Sequence, residues 1–381
     1  QIDRRFLSIA GDVCCHEGSL ELETLDLWKE WARIAQKEGT PCIVQLAHPG
    51  RMSPAGAGIR PKEMRALCPS EVPVQLGDTW LDKLALEKVL GTPKAMTVED
   101  IDEVVGMFVR GAVVAREAGF AGCQLHGAHG FLLSQFLSPH TNRRVDEYGG
   151  SPEKRMKLLQ RLIHEIRALC PPPYCLSVKL NSADYMDKGQ GLEIEEGLEQ
   201  VGWLRECGLV DFVEISGGNA EQKHSGLHNS FGAKTVASGQ KMKGSTRIRE
   251  AFYTDFADRV MQMESAVPSG TCDLIGLGRS AVLEPEIPRA VLLNPGFDDE
   301  GALARSHVVR GQWFSRMIPV KVIGGGLPIQ FFYCKGLKSD PDISIPGMIV
   351  VGLWESSSSG LLQMVQRLVA TFSGGQRVKM E

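Results

Sequence analysis

The sequence predicts an α/β protein of the (β/α)₈ TIM-barrel class, and three observations carry that prediction. Short apolar, β-rich runs alternate with longer segments of helical periodicity, the pattern of parallel strands joined by crossover helices. The short runs close on polar or glycine residues: Gln45, His126, Lys179 with Asn181, Ser216 with Gly217 and Gly218, and Gly278 with Arg279. These positions gather functional groups along the carboxyl edge of the sheet, where parallel α/β folds bind ligands. No GxGxxG fingerprint follows the first run, and the polar groups are spread over many strands, which favours a barrel over an open sheet.

In chain order the strand candidates are FLSIAG (6–11), CIVQLA (42–47), GCQLHG (122–127), CLSVKLN (175–181), DFVEIS (211–216) and CDLIGLG (272–278). A closed barrel needs eight strands, so this reading leaves the ring incomplete. The segments LDLWKEWARIAQKEG (25–39) and IDEVVGMFVRGAVVAREAG (101–119) set apolar residues three and four apart and end in Gly, a favoured helix stop. Thr97 with Asp100 has the spacing of a capping box. Ser151 and Pro152 supply an N-cap and a first helical residue for EKRMKLLQRLIHEIR. The expected organisation is a barrel domain over 1–298, incomplete at its N-terminus, and a C-terminal extension over 299–381. Periodicity dissolves in that extension into Pro/Gly punctuation and a Ser-rich linker, as expected of a peripheral or partly disordered tail.

Composition excludes several function classes. The chain has 381 residues, 43% of them hydrophobic and 23% charged, enough to bury one large core or two ordinary ones. A formal net charge of −4 gives no bulk attraction to nucleic acid or to an anionic membrane surface. Ten cysteines without CxxC pairs point to reduced thiols. No signal peptide opens the chain and no apolar run approaches the ~18 residues of a membrane span, so the expected location is cytoplasmic.

The chemistry concentrates in LHGAHGFLLSQFLSPHTNRR (125–144), where two histidines stand three apart as an apolar run ends. An HxxH pair invites a metal, but no HExxH and no nearby acid on the same face support one. One reading makes His126 and His129 a helix cap and a satisfied core histidine. The other makes both rings hydrogen-bond donors to an oxygen that becomes negative as electrons arrive. Gln45, in VQLAHPGR, is either an ordinary buried amide or a reader of a ring edge that offers both donor and acceptor. Lys179, between Val178 and Leu180, needs an anion: the electron-accepting edge of a cofactor, or an ion-pair partner such as Glu214. GLGRS (276–280) offers backbone amides and a guanidinium to a phosphate.

In this order QLAHPGR, HGAHGFLLSQFLSPHTNRRVDEYGGSPEKR, VKLNSADY, EISGG and DLIGLGR closely resemble the Old Yellow Enzyme family of flavin-dependent NAD(P)H oxidoreductases, over about residues 4 to 295. The resemblance implies a (β/α)₈ barrel that binds FMN, takes a hydride from NADH or NADPH and delivers it to a small α,β-unsaturated substrate. It implies that Ala10, Gln45 and Lys179 contact the cofactor, that Gly278 and Arg279 hold its phosphate, and that His126 and His129 bind the substrate's carbonyl or nitro oxygen. Relatives are often dimers, which makes a homodimer an expectation here.

Three departures from the family pattern stand out. Where many relatives carry a Tyr that protonates the substrate's α-carbon, this chain has Phe131, which has no proton to give. The family's first strand should precede FLSIAG, yet only five residues do. Its seventh should lie between DFVEIS and CDLIGLG, where AFYTDFADRVMQMESAVPSG runs from helix straight to the last strand. A truncated or divergent member follows from that reading, and with it an alternative function: a non-catalytic or isomerase-like barrel remnant.

Overall fold

The computed structural model describes residues 1–221 other than 10, 62, 78, 187, 188 and 220, together with Phe256, Arg259 and Val260. In chain order the elements are α1 (Leu22–Ala35), β1 (Ile43–Leu46), β2 (Leu67–Cys68), α2 (Trp80–Val89), β3 (Lys94–Ala95), α3 (Val98–Glu117), β4 (Gly122–Gly127), α4 (Leu132–Leu137), α5 (Pro152–Leu169), β5 (Cys175–Asn181), α6 (Ile194–Cys207) and β6 (Phe212–Ser216). Short 3-10 turns precede α1 and follow β1. Among the described residues no helix is long and apolar enough to cross a membrane.

The main sheet has the order β1-β4-β5-β6 and all three pairings are parallel. Crossover segments carrying α3, α5 and α6 link successive strands, as parallel pairing requires. Register fixes which side chains share a face: Gln45 pairs with Gln124, His126 with Lys179, and Lys179 with Glu214. Alternation then sends Leu46, Cys123, Leu125, Leu176, Val178 and Leu180 to the helix side. There they join one core with Ile101, Val104, Phe108, Leu159, Leu162 and Ile166. Phe108 and Leu125 are fully buried, and truncating such a phenylalanine to Ala costs about 3–5 kcal/mol. The opposite face carries Gln45, Gln124, His126, Ser177, Lys179, Asn181, Glu214 and Ser216. That face is where the chemistry gathers.

Caps behave as their spacing predicts. The Asp100 amide donates to Thr97 Oγ1 at 3.1 Å and the Thr97 amide to the Asp100 carboxylate at 2.9 Å, closing the box that starts α3. Ser151 caps α5 with Pro152 at its first turn.

FLSIAG is a correction. Residues 6–9 form bends and irregular backbone and contain no strand. Asp12 is the physical reason: its carboxylate accepts from the Ser8 and Ile9 amides at 2.9 and 3.2 Å, taking donors that a sheet ladder would need. The other four strand expectations within the described residues coincide with β1, β4, β5 and β6 to within one residue at each end. The CDLIGLG strand, the 299–381 extension and, apart from the helical Phe256, Arg259 and Val260, the gap read as a lost seventh strand lie outside the described residues.

Candidate functional site

The site begins where β4 ends. His126 is the last side chain of that strand on the polar face; Gly127 and Ala128 follow, and the chain then reverses through His129 (φ 61°) and Gly130 (φ 76°). A left-handed conformation disfavours a residue with a β-carbon by about 1–2 kcal/mol, so neighbours must hold His129 there. The His129 amide donates to Asn181 Oδ1 at 3.1 Å, and its Nε2 lies 2.6 Å from Ser216 Oγ. Phe131 then serves as the N-cap position of α4, and the Leu132 amide donates to the His48 carbonyl at 2.9 Å. The turn after β4 is thus tied to segments that follow β1 and end β5 and β6.

This arrangement brings His126, His129 and Phe131 into one cluster. The two imidazoles meet edge to face with ring centres 5.1 Å apart, and the Phe131 ring lies 4.8 Å from His126. His126 is buried, and its Nδ1 has no hydrogen-bond partner among the described residues. Burial, with the charges of His129 and Lys179 nearby, holds the His126 ring well below the ordinary histidine value of 6.5. Desolvation and the Lys179 cation bring His129 down to about 4. At neutral pH each ring is uncharged and carries a single N–H.

Beside the histidines runs a chain of polar contacts across the same face. Lys179 Nζ lies 2.9 Å from Glu214 Oε1, the ion pair that strand neighbourhood suggests. Gln124 Nε2 donates to Glu214 Oε2 at 3.0 Å, and Gln45 Nε2 donates to Gln124 Oε1 at 2.6 Å. Gln45, His126, His129, Phe131 and Lys179 therefore share one region. Ala10, Gly278 and Arg279 lie outside the described residues. Gln124 is the site residue that motif reading does not single out; its signal is simple alternation, two positions before His126 on the same face.

These side chains fit a flat heterocycle with polar edges. Lys179 supplies a cation, the two glutamines supply amide edges, and His126 Nδ1 is a buried nitrogen with no partner among the described residues. The set suits the isoalloxazine of FMN with an electron-accepting molecule beside it.

Comparison with known proteins places this geometry. A model of the NADH:flavin oxidoreductase / NADH oxidase family matches residues 20–294. An NADH-dependent flavin oxidoreductase of Talaromyces variabilis is 33% identical over 346 residues, covering 85% of this chain and 80% of that protein. One of Neonectria sp. (strain DH2) is 35% identical over 313 residues, 77% of this chain; the match spans only 40% of that relative's length. The solved structure of an Old Yellow Enzyme homologue from Zymomonas mobilis superposes with a TM-score of 0.54 at 22% identity, covering 81% of this chain and 79% of that one. That likeness establishes the barrel fold, of which the β1-β4-β5-β6 sheet is an arc. The chain belongs to the NADH:flavin oxidoreductase / NADH oxidase family, the Old Yellow Enzyme family, whose members work with FMN and NAD(P)H.

Proposed function

We propose that this chain reduces small alkenes activated by a carbonyl or nitro group, using FMN and NAD(P)H. The observation that carries the reading is the neutral histidine pair at the carboxyl end of β4, with His126 Nδ1 buried and unpartnered among the described residues. FMN bound there would supply the hydride chemistry that links NAD(P)H to the acceptor. His126 and His129 then donate hydrogen bonds to the acceptor's oxygen as it gains negative charge, in a geometry fixed before reaction. Lys179 and Gln45 would hold the cofactor ring, and Phe131 packs against His126.

The test uses the purified full chain. A flavin visible spectrum after incubation with FMN is expected, bleached anaerobically by NADH or NADPH and restored by 2-cyclohexenone or a nitroalkene. Bleaching by nicotinamide without restoration by any activated alkene would overturn the substrate assignment. No flavin uptake at all would overturn the cofactor assignment.

A further inference from the structure

We infer that Glu214 is a positioning residue that sets the direction of every hydrogen bond in the amide chain across this face, so that Gln45 presents its carbonyl oxygen as an acceptor. The inference rests on the proposed FMN site and deepens it, since it states what Gln45 reads on the cofactor: a ring N–H. The argument starts from a carboxylate, which can only accept. Glu214 Oε1 takes Lys179 Nζ at 2.9 Å and Oε2 takes an amide N–H of Gln124 at 3.0 Å. With its NH₂ committed to Glu214, Gln124 can show Gln45 only its carbonyl. Gln45 must answer with its own NH₂, which it does at 2.6 Å. The Gln45 oxygen, beside the second N–H of the same amide, is what remains for a ligand.

Side-chain amides usually leave oxygen and nitrogen interchangeable, but here the reversed assignment would set the Gln124 carbonyl against a carboxylate, acceptor on acceptor. One charge therefore settles two amide orientations. The relay also explains the span of these side chains. β4 and β6 are separated by β5, and with strands ~4.8 Å apart Gln124 and Glu214 meet only by reaching over it. Ser177, in register with Gln124, is the small residue they cross. FMN offers the matching group, an imide N–H flanked by two carbonyls.

The experiment compares FMN with its analogue methylated at the imide nitrogen, binding each to the full chain and reading dissociation constants by flavin fluorescence. The unaltered chain is expected to prefer FMN by about tenfold or more, one neutral hydrogen bond's worth. Gln124→Met keeps the Lys179–Glu214 pair but cuts the relay, freeing Gln45 to rotate. It should weaken FMN binding and shrink that preference by several-fold, with the thermal melt marking the variant as folded. Glu214→Gln, whose amide can point either way, should shrink the preference too, and by uncovering Lys179 it should raise the flavin reduction potential. FMN bound by Gln124→Met with the full preference of the unaltered chain would overturn the inference alone. No FMN binding by the unaltered chain would overturn the cofactor reading and this inference with it.

Discussion

Asn181, at the end of β5, accepts the backbone N–H of His129 at 3.1 Å and so holds a left-handed residue in the turn that follows β4. The same side chain donates to the Gly218 carbonyl at 3.0 Å and to Asp184 at 3.3 Å, joining the ends of three consecutive strands. Asn181 is buried, and a buried group left without its partner costs about 1–3 kcal/mol. Asn181→Ala is therefore expected to lower stability by that amount in denaturant titration. It should also weaken binding of phenolic ligands that mimic an enolate, while FMN stays bound, because His129 loses its anchor. Unchanged phenol affinity in a folded variant would mean that Ser216 alone positions the ring.

The histidines set a second expectation. A ring kept neutral in the folded state but free to protonate when unfolded makes the unfolded chain bind more protons, so stability rises with pH across that window. The contribution is complete above the ordinary value of 6.5 and is lost as pH falls toward about 4, where His129 itself protonates. His126 and the buried His48 are lowered in the same direction. Stability measured from pH 7 down to 4.5 should decline, and His126→Phe should make the decline shallower by up to one proton, about 1.4 kcal/mol per pH unit. An identical slope in that variant would mean that His126 protonates freely in the folded chain.

Much of this site is legible in the sequence because β4 and β5 obey strict alternation. GCQLHG and CLSVKLN coincide with the observed strands, and that alone puts His126 and Lys179 on one face. The FLSIAG run fails for a local reason: nothing in an apolar string announces that Asp12, beyond its end, will take its backbone donors. Periodicity also passes over α6, where Gly197 interrupts the apolar stripe. The structure needs a glycine there, since a β-carbon would sit 2.4 Å from the Ser182 carbonyl oxygen. The Lys179–Glu214 pair is legible from strand neighbourhood, but the Gln124 links that carry it on to Gln45 are hidden because they depend on register between several strands, which no single segment encodes.

Lys179 gives a third prediction. Lys179 stands in register with His126 and its ammonium is balanced by Glu214. Lys179→Met removes the positive charge and leaves that carboxylate uncompensated beside the cofactor, so the electron-rich reduced ring loses stabilisation. The flavin potential should fall by at least about 30 mV, equivalent to about 1.4 kcal/mol for a two-electron couple, and FMN affinity should drop. A folded variant with an unchanged potential would restrict Lys179 to a structural ion pair.

Phe131 carries the last prediction. Its ring lies 4.8 Å from His126 and its residue is the N-cap of α4, so it stands beside the proposed substrate-oxygen site without offering a proton. An enone that receives hydride becomes an enolate, and an acid placed at its α-carbon speeds protonation, typically by ~10²-fold or more. Without one, nicotinamide should still reduce the flavin at full rate, ordinary enones should turn over slowly, and nitroalkenes should be the better acceptors, because a nitronate is stable enough to leave before it is protonated. Phe131→Tyr adds a single hydroxyl to the same ring. Net enone reduction should rise by an order of magnitude or more, while the rate of flavin reduction by NAD(P)H stays as it was. Equal enone turnover by the two proteins would show that the proton comes from solvent or another group, and that the aromatic ring at this position serves only to pack against His126.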